Sequence, residues 1–249
     1  ATRQMSWGFK KSFKQTAKKN ILIAVLDGGI DIEHPDLRPF VYINTKDCFE
    51  GNIIPPKDTQ DLDNNGYKGD CKGWDFTTKS NRAEDEEGHG THVAGIIASI
   101  LKNYSQSIKL LPLKVFAAGE GKKPIKDLPS LSKRLNSAIE YSILQKVDII
   151  HLSAGWPKSY MSRQLEATIK KAQKLGIQFV TASGNSSQRS MVYPCQLEDV
   201  LCVGALRPNG DVARFSNWGG QVDVYAPGEK ILSTIPVSYT HLRAHETDS

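Results

Sequence analysis

The sequence predicts an α/β fold built on a mainly parallel sheet. Three observations carry that prediction. Short apolar runs recur at ILIAVL (21–26), KLLPLKVF (109–116), VDIIHLS (147–153) and IQFVTAS (177–183). Longer stretches of helical period separate them. The two patterns alternate along the chain, which parallel strands joined by helical crossovers require.

Each element has its own reason. ILIAVL is continuously apolar and ends at Asp27, as a strand buried on both faces does. Residues 40–88 are polar and turn-rich, with DLDNNGYKGD at their middle. From Thr91, THVAGIIASIL reads as a helix with small residues on one face. Residues 130–146 place Leu131, Leu135, Ala138, Ile139 and Ile143 on one helical stripe. SRQLEATIKKAQKLG (162–176) reads as a helix stopped by Gly176. Asp27, Ser153 and Asn185 each fall at the carboxyl end of an expected strand, where ligands of open α/β sheets gather.

Composition narrows the classes. The chain has 249 residues, 39% hydrophobic and 24% charged, which suits a globular domain with a full core. No run of 18 apolar residues is present, so no membrane span is expected. Net charge is +5, much of it from Lys10, Lys11, Lys14, Lys18 and Lys19. These lysines lack interleaved aromatics or a recognised module, so no nucleic-acid partner is expected. Cys48, Cys71, Cys195 and Cys202 allow three pairings. Sequence proximity favours Cys48–Cys71 and Cys195–Cys202, which would indicate an oxidising compartment. Four buried free thiols are the alternative. No CxxC and no nearby His pair suggests zinc.

Three segments carry chemistry. VLDGGID places Asp27 after a buried strand, where loop amides can keep a carboxylate ionised; taken alone it reads as an Asp capping a turn or helix. GHGTHVAG places His89 at a helix start between two glycines, open to a cleft. His89 and His92 lack the glutamate of a zincin motif. TASGN ends at Asn185, whose amide can donate to a developing oxyanion. An acid, a base and an amide donor are three of the four parts of acyl transfer by a serine.

Together these motifs resemble the subtilisin-like serine proteases, over about residues 15–236. HLSAG (151–155) is similar to the family's substrate-binding edge, and RFSNWGGQVDVYAPGEKILST (214–234) to the segment leading toward its nucleophile. The chain order Asp, His, Ser is the subtilisin order. The resemblance implies a three-layer α/β/α fold with its C-terminal part missing, and a serine endopeptidase acting on polypeptides. Asp27 would orient the imidazole, His89 would serve as general base and then acid, and Asn185 would bind the oxyanion. Ser153, Ala154 and Gly155 would pair with an extended substrate. Val192 would line the primary specificity pocket and narrow it toward smaller side chains. The resemblance further implies a pro-domain, a monomer, and an extracellular or cell-envelope location.

The sequence departs from the family pattern in places. Gly28 stands where the family usually has Ser or Thr. LKNYSQSI (101–108) is too short for a calcium loop many members carry there. Calcium has a second candidate in Asp61, Asp63 and Asn65, which alternate as oxygen ligands do, although an EF-hand glutamate is absent. No Gly-Thr-Ser-Met-Ala-like segment follows APGEKILSTI. Residues 237–249, VSYTHLRAHETDS, have no apolar periodicity, and VSYTHLRAHET resembles one reading frame of a transposase sequencing adaptor. They are expected to be non-native read-through, leaving 1–236 as an incomplete catalytic domain that is inactive for want of its serine. A catalytically dead peptide-binding domain is the alternative.

Overall fold

The computed structural model describes residues 20–51, 53–56, 60–101, 108–120, 127–158, 161–189 and 192–237. The N-terminal lysines, residues 238–249 and most of the 101–108 loop lie outside the described residues.

Seven parallel strands form one sheet in the order β2-β3-β1-β4-β5-β6-β7. They are β1 (Ile21–Asp27), β2 (Trp74–Asp75), β3 (Ile108–Lys114), β4 (Ile149–Leu152), β5 (Gln178–Ala182), β6 (Val200–Leu206) and β7 (Val224–Pro227). Among the described residues three α-helices accompany them, α1 (His89–Leu101), α2 (Leu128–Leu144) and α3 (Arg163–Lys174), with a short 3-10 turn at Arg38–Phe40. The central strand β1 pairs with β3 on one side and β4 on the other.

The two faces of β1 feed two separate cores, which makes the fold three-layered. Ala24 and Leu26 pack with Leu135, Ile139 and Tyr141 of α2 and Leu165 and Ile169 of α3. Ile23 and Val25 pack with Val93, Ala94 and Ala98 of α1. The small residues on α1 let it lie close to the sheet. The Asp127 side chain caps α2 by accepting from Ser130 N, and Ser162 caps α3 by accepting from Leu165 N. Gly176, at φ +83°, turns the chain out of α3.

Burial differs along the sheet. In β4, β5 and β6 it alternates: Ile150, Leu152, Phe179, Val200 and Cys202 are buried, while Ile149, His151, Val180, Leu201 and Val203 are half-buried. Residues 231–237 lie across the start of α1. Ser233 Oγ donates to His92 O at 2.6 Å and Thr234 Oγ1 to Thr91 O at 2.7 Å.

Candidate active site

Two glycines bring the carboxyl end of β1 against the start of α1. Gly29 has φ +107°, and a Cβ there would lie 2.3 Å from Glu84 O. A Cβ on Gly90 would lie 1.9 Å from Gly29 O. Any side chain at either position forces the two segments apart. Asp85 fixes the helix start: its carboxylate accepts from Gly88 N (2.8 Å), Thr91 N (2.8 Å) and Thr91 Oγ1 (2.6 Å). Thr91 Oγ1 in turn accepts from Asp31 N at 2.9 Å, tying the β1 loop to the helix.

This framework sets His89 Nδ1 at 2.8 and 3.0 Å from the two carboxylate oxygens of Asp27. Asp27 is 3% exposed, and its Oδ1 also accepts from Gly28 N at 2.7 Å. A backbone amide therefore braces the carboxylate where Gly28 brings no hydroxyl. Burial pulls the His89 pKa down, but the Asp27 hydrogen bond and charge, with Asp85 and Glu87, outweigh it and raise it above 6.5. The Nδ1 bond selects the tautomer with Nε2 free as a proton acceptor. The His89 side chain is 39% exposed, so that nitrogen is open to a reactant.

Two further histidines lie near and differ in kind. His151 Nε2 sits 2.9 Å from Ser153 Oγ, and burial, with His89 nearby, pulls its pKa down against the pull of Asp27. His92 Nε2 sits 3.1 Å from Ile231 O, and burial lowers its pKa as well.

Asn185 lies beyond the end of β5 with its residue exposed. Its loop hangs on Asn217, which sequence reasoning did not single out. Asn217 is fully buried; its Oδ1 accepts from Ser186 N (3.0 Å) and Gln188 N (3.2 Å), and its Nδ2 donates to Ser183 O (3.0 Å). Asn217 N donates to Gly184 O at 2.8 Å. Ser153, Ala154 and Gly155 extend past the end of neighbouring β4, tied to β5 by Thr181 Oγ1 donating to Ala154 O at 2.9 Å. Val192 packs against Gly155.

A family model described as the subtilase family matches residues 18–249. The chain belongs to the subtilase family. Its relatives include the major intracellular serine protease of Bacillus subtilis (strain 168), 33% identical over 88% of this chain and 61% of that protein. Subtilisin E of the same organism is 31% identical over 87% of this chain and 49% of that protein. The chain thus spans about half to three-fifths of the length of these relatives. A cold-adapted subtilisin-like serine proteinase of known crystal structure superposes with a TM-score of 0.65 at 21% identity, over 93% of this chain and 75% of that one. It supports the subtilisin-like, three-layer fold.

Within this subtilase frame, the serines near the site are otherwise engaged. Ser216 is buried, donating to Asn217 O at 2.9 Å, and Ser233 is held on α1. Among the described residues no hydroxyl reaches His89 Nε2. Both disulfides, Cys48–Cys71 and Cys195–Cys202, are closed, and none of the four cysteines is free. Asp47, Asp61 and Asp63 bring carboxylate oxygens within 4.8 Å of one another. Asn65 lies beside them: its Nδ2 donates to Asp63 (3.2 Å) and Asp70 (2.8 Å), and its Oδ1 accepts from Tyr67 N. Burial pushes Asp70 up to about 6, against hydrogen bonds from Tyr141, Asn65 and Asn44.

Proposed function

We propose that this subtilase domain supplies the acid–base pair and the peptide cradle of a serine endopeptidase. The observation that carries the reading is the buried Asp27 carboxylate on His89 Nδ1, with Nε2 left open. Asp27 orients the ring and stabilises its protonated form. His89 takes the proton from an attacking hydroxyl and returns it to the leaving amine. Asn185 donates its amide to the oxyanion, and 153–155 pair with the substrate backbone as an added strand. A Gly-Thr-Ser-Met-Ala-like segment is not among the 249 residues, and the reading requires such a serine to complete the triad. Resequencing the source DNA past the Ile235 codon tests this. A serine in that context downstream completes the triad. Genomic DNA that again encodes VSYTHLRAHETDS leaves a peptide-binding cleft without a nucleophile.

Calcium fits the loop at Asp47, Asp61 and Asp63. Three hard carboxylate oxygens converge there, and carbonyls and water would supply the rest of the six to eight that calcium takes. The ion would neutralise the cluster and stiffen a loop already closed by Cys48–Cys71. The two disulfides support an oxidising compartment, outside the cell or in its envelope. Polypeptides are the expected substrates, with a pro-domain as an intramolecular partner and a monomer as the working unit. Among the described residues no helix is long and apolar enough to cross a membrane.

A further inference from the structure

Lys114 is a charged side chain in the interior that the acid–base chemistry does not use. It ends β3, in register with Asp27 at the end of β1. Register partners on parallel strands leave the same face of a sheet, and here that is the face α1 covers, through Ile23, Val25 and Leu110. The lysine is 4% exposed. Its Nζ donates to Glu84 O at 3.0 Å and lies 3.3 Å from the Glu86 carboxylate. Stability alone does not call for an ammonium here, because an apolar side chain of similar length would fill the space without desolvating a charge.

The atoms that the ammonium holds account for it. Glu84 O is the atom that a Cβ on Gly29 would meet at 2.3 Å, so the Glu84 peptide lies against the loop that follows Asp27. One residue back, Ala83 O accepts from Ile30 N of the same loop at 2.9 Å. One residue on, Asp85 holds the start of α1 through Gly88 N, Thr91 N and Thr91 Oγ1. The end of β3 fastens Asp27 as well, since Val115 N donates to Asp27 O at 2.8 Å. Residues 114 and 115 therefore hold both halves of the pair, the aspartate by its main chain and the histidine by way of residues 84–88.

We propose that Lys114 is a positioning residue that sets His89 against Asp27 by anchoring residues 84–86 to the sheet. This rests on the reading of Asp27 and His89 as the acid–base pair. The charged and titratable groups around His89 are Asp27 on β1, Asp85 and Glu87 in the anchored loop, His92 on α1 and His151 on β4. Two ways for Lys114 to act then differ in sign. Acting by its charge, it would disfavour a protonated imidazole, and removing it would raise the His89 midpoint. Acting as an anchor, it keeps the ring and the loop carboxylates where they raise that midpoint, and removing it lowers the midpoint.

NMR titration of the His89 ring in the 249-residue chain reads that sign, with wild type, Lys114→Met and Lys114→Arg compared. We expect the midpoint to fall in Lys114→Met and to return toward wild type in Lys114→Arg, which restores a donor for Glu84 O. Exchange of the Gly88 and Thr91 amides should quicken about tenfold in the methionine variant, the equivalent of one hydrogen bond's contribution. Lys114→Leu, equally without a donor, serves if the methionine variant does not fold. A midpoint that rises or stays in the folded variant, or unchanged exchange, keeps the pair and overturns the role of Lys114. A fall shared equally by Lys114→Arg shows a packing effect and overturns it too. A wild-type midpoint at or below 6.5, unmoved in Asp27→Asn, overturns the pair and this inference with it.

Discussion

Replacing Asn217 with alanine should unfasten the Asn185 loop and cost the domain much of its stability. The side chain makes three hydrogen bonds, to Ser183 O, Ser186 N and Gln188 N. Ser183 is 2% exposed, so its carbonyl would be left buried without this donor, a loss of about 1–3 kcal/mol. Ser186 and Gln188 are exposed, so water can replace the acceptor at their amides. Those two bonds contribute about 0.5–1.5 kcal/mol each. The expected loss is about 2–6 kcal/mol, a large part of a typical ~5–15 kcal/mol margin. Urea unfolding followed by circular dichroism measures it, and hydrogen exchange at the Ser186 and Gln188 amides locates it. Asn217→Asp should cost as much, because it keeps the acceptor but sets a carboxylate oxygen against Ser183 O. Asn209→Ala, on an exposed turn, serves as the control and should stay within about 0.5 kcal/mol of wild type. A loss under ~1 kcal/mol in Asn217→Ala, with exchange unchanged, would refute the argument that this residue fastens the loop.

Three more outcomes follow from the geometry. The raised His89 pKa means that the Asp27–His89 pair stabilises the fold fully below pH 6.5 and loses that contribution as pH rises through the folded value. NMR titration of the ring should show a midpoint above 6.5 that falls in Asp27→Asn; an unmoved midpoint contradicts the pairing. Calcium should raise the melting temperature and EDTA should reverse it, with up to about 4 kcal/mol gained at a thousandfold excess over Kd. It should also draw the Asp70 titration down from about 6, and identical melting with and without the ion removes the site. Replacing Cys48 and Cys71 with serine reopens a loop spanning 23 residues, for a loss of about 3 kcal/mol by chain entropy. Unchanged urea unfolding of the double variant would show that packing, not the crosslink, holds that loop.

The sequence made the frame legible where local pattern and tertiary role coincide. β1, β3, β4, β5 and the three helices were expected close to where they lie, because apolar runs and helical stripes mark segments packed on the sheet. β6 is a seven-residue apolar run, VLCVGAL, but no helical stretch separates it from β5, so the strand–helix alternation that marks the other strands does not mark it. β2 and β7, of two and four residues, are too short to carry a period and are fixed by pairing with their neighbours. Asp27, His89 and Asn185 were legible because each sits in a distinctive glycine-flanked setting. Asp47, Asp85, His151 and Asn217 were not, because their roles depend on groups between 2 and 34 residues away that only folding brings within bonding distance.

The difference between those two sets explains how the site is built. In the proposed site the legible residues are the ones that would face a reactant, and the illegible ones brace the segments that carry them. Asp27 and His89 come from segments 62 residues apart, and their 2.8 Å contact exists because Gly29 and Gly90 remove the atoms that would hold the segments apart. Asp85 and Thr91 then lock the helix start. On the other side of the cleft the same device recurs: Gly155 and Gly184 make room, and Val192 and Asn217 fill it. Each half pairs glycines that permit a close approach with a side chain that occupies the space gained. Substituting one of these glycines should therefore displace a segment, whereas substituting its partner should loosen one. The two kinds of variant are distinguishable by whether binding is lost with the loop still protected from exchange or lost together with that protection.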